Sequence, residues 1–135
     1  MKEFEFLEHP ADLKIRSFGK TKEEIFINMM RGMFPSVKRE KTKGKQPRER
    51  EITINSINLR FLLVDFLSEV LYLSEVHNEA YFDGKITIVK DNNLTGKILG
   101  QEAEDFKREI KGVTYYGLEI KKINEHWEAV VLFDV

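Results

Sequence analysis

The sequence predicts a single α+β domain in which two amphipathic helices pack on mixed or antiparallel β-sheet. Two stretches repeat apolar residues at helical spacing, and several shorter stretches alternate apolar and polar residues or cluster β-forming ones. Turn residues separate strands that follow one another directly. The length of 135 residues suits one domain, 1–135, and no internal repeat indicates a solenoid or propeller.

The first two predicted strands flank a short polar segment. Residues 3–7 and 13–18 alternate in polarity. Pro10 lies between them and cannot donate a ladder hydrogen bond, so we expect a break in the strand here. His9 and Asp12 lie within this break. Their spacing alone leaves open whether they cap a turn and fill a gap or belong to a functional site.

Two helices are predicted from capping signals and apolar spacing. Thr21 and Glu24 form a capping box, and the apolar face that follows ends near Pro35. Asn58 opens the longer helix, whose apolar residues follow the i, i+3, i+4, i+7 pattern without interruption. These residues are Leu59, Leu62, Leu63, Phe66, Leu67, Val70 and Leu71.

The remaining predicted strands are mainly in the second half of the chain. Residues 51–54 form a strand before the longer helix. Residues 81–89 and 94–100 flank an Asp-Asn-Asn turn, and residues 113–121 and 127–135 flank an Asn-Glu turn. Each of these two pairs is typical of a β-hairpin.

The net charge of −1 conceals an uneven distribution. Residues 38–50 carry seven basic residues against Glu40 and Glu49. Because this segment has almost no apolar content, it is predicted to be a flexible basic loop. An RNA-binding module or chaperone acting through this arm is therefore an alternative function. The aromatic residues, however, are expected mostly on core faces, which argues against base stacking.

Several classes of site are excluded or disfavoured by composition and motifs. The chain has no cysteine, which excludes disulfides, thiolate metal sites and a cysteine nucleophile. Neither a glycine-rich phosphate loop nor a nucleophile-elbow motif occurs. His9, His77 and His126 lack the spacing of zinc ligands. With no apolar stretch of membrane-spanning length and no apolar leader, we expect a cytoplasmic protein.

Acidic residues form the remaining candidates for a site. Asp65 and Glu69 lie one helical turn apart beside the apolar stripe of the longer helix. They could converge on a site, or they could simply be the solvated edge of that helix. Asp134 lies next to Val135, so two carboxylates share a small space in which a hard cation could bind. A metal-dependent hydrolase using Asp12 and Asp134 is a third reading, but no general acid or base has a clear place.

Four segments, taken together, resemble the archease family. They are "EHPADLKIRSFGKTKEEIFINMMRGMF" (8–34), "LLVDFLSEVLYL" (62–73), "IKGVTYYGLEIKK" (110–122) and "WEAVVLFDV" (127–135). The family pattern combines His-x-Ala-Asp, an Asp-aromatic-Leu helix, a Lys-x-Val-Thr-Tyr strand and a C-terminal Phe-Asp. Two residues depart from it: Pro10 replaces the commoner threonine, and Tyr116 stands where histidine is expected.

The resemblance implies an accessory protein rather than a free-standing enzyme. Archeases activate the GTP-dependent RNA ligase that joins tRNA halves, by promoting guanylylation of its active-site histidine and repeated turnover. They bind a divalent metal ion, usually described as calcium. The expected partner is therefore the ligase, with tRNA contacted indirectly or weakly and no membrane involved.

The resemblance also assigns residues by position. It implies metal ligation by Asp12, Asp134 and the C-terminal carboxylate of Val135. The residues that it connects with the partner and its activation are His9, Asp65 and Lys111. The break at His9–Asp12 would then lie beside the end of the last strand, with His9 orienting a ligand rather than binding the metal itself.

Overall fold

The computed structural model describes residues 1–37, 46–103 and 110–135, which form seven β-strands and two α-helices. The strands are arranged in two antiparallel sheets, which confirms the predicted α+β class. The elements in chain order are β1 (Phe4–Leu7), β2 (Leu13–Gly19), α1 (Lys22–Met33), β3 (Arg48–Asn55), α2 (Leu59–His77), β4 (Glu79–Val89), β5 (Asn93–Glu102), β6 (Gly112–Ile123) and β7 (His126–Asp134).

Both sheets and both helices share one hydrophobic core. The first sheet has the strand order β1-β2-β7-β6, and the second has the order β3-β5-β4. Helix α1 contacts β2 in one sheet and β4 in the other. The helices meet through Phe26 and Phe66, whose ring centroids lie 5.7 Å apart. Among the described residues, no helix is long and apolar enough to cross a membrane.

The predicted helix starts are confirmed by their capping contacts. The Thr21 hydroxyl accepts a hydrogen bond from the Glu24 amide at 3.1 Å. The Asn58 side chain accepts one from the Phe61 amide at 2.9 Å. Helix α2 ends at His77 and is capped by Asn78, whose φ of 53° is the left-handed conformation that asparagine tolerates at a helix end.

The prediction of a flexible loop over residues 38–50 is partly wrong. Residues 38–45 lie outside the described residues, but strand β3 already begins at Arg48. Arg50 donates hydrogen bonds of 3.0 and 2.8 Å to both carboxylate oxygens of Glu79, whose side chain is 1% exposed. Burial raises the pKa of Glu79, but the hydrogen bonds from Arg50 and Tyr81 outweigh burial and lower it. Residues 48–50 therefore pair with β5 although they lack an apolar pattern, and Arg50 neutralises a buried carboxylate from this part of the strand.

Candidate functional site

Asp12 and Asp134 lie at the same end of two adjacent strands. Strands β2 and β7 are antiparallel, and their last pair is Leu13 with Phe133. Asp12 immediately precedes Leu13, and Asp134 immediately follows Phe133. The register thus places the two aspartates opposite each other across strands that are about 4.8 Å apart. Asp12 is half-buried and Asp134 is exposed, so solvent reaches this end of the sheet.

Lys111 and Gly112 adjoin Asp134 from the other side. Gly112 is the β6 partner of Asp134, and the Lys111 amide donates a 2.6 Å hydrogen bond to the Asp134 carbonyl. A Cβ added at Gly112 would meet no atom within 4 Å, so the space beside Asp134 is open. The Lys111 side chain is exposed. The sheet end therefore combines two acidic residues and one cation around accessible space.

His9 lies against Asp12 within the break between β1 and β2. Its Nδ1 is 3.4 Å from Asp12 Oδ2, and the two side chains are 30% and 28% exposed. Although this nitrogen is buried, it forms no hydrogen bond with any described residue. A buried polar atom without a partner is unusual and often marks a site that takes a ligand or ion. The imidazole of His9 therefore lies beside the Asp12 carboxylate without a hydrogen bond to it.

The donors at this end suit a hard cation only in part. Within residues 1–37, 46–103 and 110–135, no three His, Asp or Glu side chains converge as a metal site. Asp12 and Asp134 supply carboxylate oxygens, the type of ligand that calcium prefers. Val135 follows Asp134 beyond the strand and is 39% exposed. Calcium takes six to eight oxygen ligands, so any site here would be completed by main-chain oxygens, water or a partner.

The described contact of Asp65 is made with the connection between β3 and α2. Asp65 lies on α2 and accepts a hydrogen bond from the hydroxyl of Ser56, which follows β3. Its visible role is to fix the connection between β3 and α2.

An exposed aromatic patch, formed by Phe61, Tyr115 and Tyr116, was missed by the sequence reading. The side chains are 37%, 49% and 77% exposed, and the rings of Phe61 and Tyr115 lie 5.1 Å apart. In the β6–β7 register, Thr114 faces Leu132 and Glu119 faces Val130, so the intervening residues of β6 bulge out. The expectation that the aromatic residues lie mostly on core faces is confirmed for the described residues, and these three are exceptions to it, as are Phe6 and Tyr72. The Tyr-Tyr-Gly run, which interrupts alternation, is the signal that could have revealed it.

Comparison with known proteins gives a consistent family assignment. Residues 4–135 match the model of the archease protein family. The chain is 38% identical to Protein archease of Methanosarcina barkeri, with 99% of this chain and 97% of that protein covered. It is 31% identical to Protein archease of Thermococcus kodakarensis, with both chains fully covered at 100%.

Two solved structures share the fold. The solution structure of a Methanobacterium thermoautotrophicum protein superimposes with a TM-score of 0.78 at 29% identity, covering 100% of both chains. The crystal structure of a Thermotoga maritima archease, titled a possible chaperone, gives a TM-score of 0.63 at 19% identity, with 96% of this chain and 94% of that one covered. The second likeness concerns the fold alone. With the family model matching nearly the whole length, the chain belongs to the archease protein family.

Proposed function

We propose that this protein is an accessory factor that activates the GTP-dependent RNA ligase of tRNA splicing. It would promote guanylylation of the ligase histidine and repeated turnover, through a divalent cation held at the shared end of β2 and β7. The observation that supports this proposal is the strand register, which sets Asp12 opposite Asp134. The β6 partner of Asp134 is Gly112, which has open space beside it. Membership of the archease family supports an accessory role.

The proposed cation ligands are Asp12, Asp134 and the main-chain carboxylate of Val135. A calcium ion bound there would supply positive charge close to the phosphates of the nucleotide. Catalysis of phosphoryl and nucleotidyl transfer depends largely on positioning and on compensation of developing charge. Carboxylates on an exposed strand end are accessible to a partner, whereas carboxylates inside the core would not be.

The neighbouring side chains have separate proposed tasks. The exposed Lys111 would contribute a second positive charge directed at phosphate oxygens. His9, with Nδ1 3.4 Å from Asp12, would keep that carboxylate oriented toward the cation. Asp65, through its hydrogen bond with Ser56, would act on the partner surface only indirectly, by fixing the start of α2.

The test is a guanylylation assay of the ligase with and without this protein at substoichiometric amounts. We expect repeated ligase turnovers per molecule of accessory protein, because an activator is not consumed. Direct calorimetric titration of the protein with Ca²⁺ should show binding that depends on both aspartates. If ligase turnover is the same with and without the protein, the proposed function is wrong.

A second candidate, direct RNA binding, is favoured by the aromatic patch. Bases can stack on exposed tyrosine and phenylalanine rings, and the basic residues of 38–45 could add phosphate contacts. Arg50, in contrast, is committed to Glu79. Affinity for a single-stranded RNA, measured without ligase at several salt concentrations, distinguishes the candidates. Binding that is tight, salt-dependent and lost in Tyr116→Ala would favour this second function.

A further inference from the structure

Lys14 lies on the face of the first sheet that also carries Asp134. Lys14 of β2 pairs with Leu132 of β7, so these two side chains share one face. Since side chains alternate along a strand, Asp134 projects to that same face, two residues beyond Leu132. Asp12 precedes Lys14 by two residues. These spacings place Lys14 within about 8 Å of both aspartates of the proposed cation site.

Helix α1 covers the opposite face of β2. The side chains that point to that face, Ile15 and Ser17, are fully buried. The Ser17 hydroxyl donates a 2.9 Å hydrogen bond to the Ile25 carbonyl of α1. Lys14, in contrast, is half-buried and projects away from the helix. Its ammonium is therefore carried on a flexible four-carbon stem outside the main core.

The Lys14 ammonium has no committed partner in the described part of the chain. Its side chain forms no hydrogen bond or ion pair with any described residue. Glu5, which is its diagonal neighbour on β1, is already held by Lys2 at 2.8 Å and by Arg16 at 3.1 Å. The other neighbouring carboxylates are those of the two aspartates.

Neither aspartate is paired with a lysine or arginine among the described residues. The charged partner of Asp12 is His9, at 3.4 Å, and the Asp134 side chain makes no ion pair there. The acidic pair therefore has a mobile cation beside it that is bound to nothing else. Lys14 is thus available to the two carboxylates whenever no other cation compensates them.

Lys14 has opposite electrostatic effects on the cation-free and the cation-bound site. Without a divalent ion, Asp12, Asp134 and the main-chain carboxylate of Val135 bring three negative charges together, and the ammonium compensates one of them. With a divalent ion bound, the same ammonium repels that ion. At about 8 Å in water, this repulsion corresponds to about a fivefold change in the binding constant.

We infer that Lys14 is a built-in counter-cation, which moves toward the carboxylates as the divalent ion leaves and thereby lowers the affinity for Ca²⁺ and speeds its release. The inference rests on the proposed function, because it concerns the same cation site. It adds that the ion is exchangeable rather than permanently bound. An exchangeable ion suits a site at which a partner completes the ligand set.

Calorimetric titration of the full chain with Ca²⁺, at low and at high salt, tests the inference. Lys14→Gln should bind Ca²⁺ about fivefold more tightly than the wild type at low salt, and the difference should shrink at high salt because salt screens the repulsion. Lys14→Arg keeps the charge and should bind like the wild type. Mixing of the Ca²⁺-loaded proteins with a fluorescent chelator in a stopped-flow instrument should show slower release from Lys14→Gln.

Lys121→Gln is the matched control for loss of a positive charge from this face. Lys121 is exposed and pairs with Glu128, which is six residues, or about 20 Å, from Asp134 along β7. Its loss should leave Ca²⁺ binding unchanged.

The outcomes separate the inference from the proposed site. If Lys14→Gln and the wild type bind Ca²⁺ equally, or if Lys14→Gln binds more weakly, the counter-cation inference is overturned while the site stands. An equal gain in Lys121→Gln would also overturn it, since the effect would then be one of net charge. If neither the wild type nor Lys14→Gln binds Ca²⁺, the proposed cation site is wrong and the inference is overturned with it.

Discussion

Arg50 holds both carboxylate oxygens of Glu79, a side chain with 1% exposure, at 3.0 and 2.8 Å. Tyr81 donates a third hydrogen bond to Glu79 at 2.8 Å, while burial raises the pKa of Tyr81 far above its ordinary value. These contacts join the start of β3 to the start of β4. The same arginine that appears in the sequence as part of a basic arm is thus a structural cation in the fold.

Substitution Arg50→Ala should destabilise the protein strongly. It leaves a buried carboxylate without its main cation, which costs about 3 kcal/mol in the free energy of unfolding. Arg48→Ala is the matched control, since Arg48 is 52% exposed and lies 3.8 Å from Glu79; its loss should cost less than about 1 kcal/mol. Urea unfolding followed by Trp127 fluorescence measures both. Equal effects would mean that the bidentate contact is not the source of stability.

The same carboxylate should make stability depend on acid pH. Glu79 has a lowered pKa in the folded chain, so below its ordinary value of 4.5 the unfolded chain binds a proton that the folded chain does not. Its contribution to the free energy of unfolding is therefore complete above pH 4.5 and is lost as pH falls through the lowered pKa. The Glu79→Gln variant removes this titration, so its stability should fall less steeply between pH 5 and pH 3, as determined by urea unfolding. Parallel slopes in the two proteins would contradict the assignment.

Local sequence signals predicted the helices and hairpins well, for a physical reason. The hydroxyl of Thr21 and the amide oxygen of Asn58 satisfy nearby main-chain donors, and these contacts depend on residues within one turn. The start of β3 could not be found in this way. Residues 48–50 have no apolar pattern, and their partners, Glu79 and strand β5, lie far along the chain.

The candidate site was predicted from a family resemblance rather than from local sequence signals. Asp12 and Asp134 were selected through a family resemblance, because pattern alone could not distinguish them from solvated turn residues. Their proximity follows from antiparallel pairing of strands near opposite ends of the sequence, and such a register is not encoded locally. The bulge at Tyr115 and Tyr116 was missed because period-two reasoning assumes a regular ladder.

Substitutions Asp12→Ala and Asp134→Ala should each abolish ligase activation while preserving the fold. Both residues lie at an accessible strand end and add little to the core, so the free energy of unfolding should change by less than about 0.5 kcal/mol. Glu125→Ala is the matched control, because Glu125 lies just before β7, at the opposite end of that strand from Asp134. Circular dichroism measures whether the fold is preserved, and a guanylylation assay measures ligase activation. Full activation by either aspartate variant would refute the proposed site.

Addition of Gly-Ser-Gly after Val135 should weaken both Ca²⁺ binding and ligase activation. The extension keeps Asp134 but moves the main-chain carboxylate away from it, which removes one proposed ligand. Amidation of Val135 by semisynthesis removes the same charge with almost no added volume, so it separates charge from crowding. Calorimetry with Ca²⁺ should show reduced affinity in both forms. Unchanged affinity in the amidated protein would exclude Val135 as a ligand.

Lys111→Gln should reduce ligase activation without reducing Ca²⁺ affinity, because we assign this side chain to phosphate rather than to the cation. Its amide hydrogen bond to the Asp134 carbonyl is a main-chain contact and survives the substitution, so the sheet end should keep its shape. Lys111→Arg preserves the charge and should retain most of the activation. Guanylylation rates at saturating protein, together with Ca²⁺ calorimetry, compare the three proteins. A parallel loss of Ca²⁺ binding in Lys111→Gln would instead show that Lys111 shapes the carboxylate site, and normal activation would remove it from the mechanism.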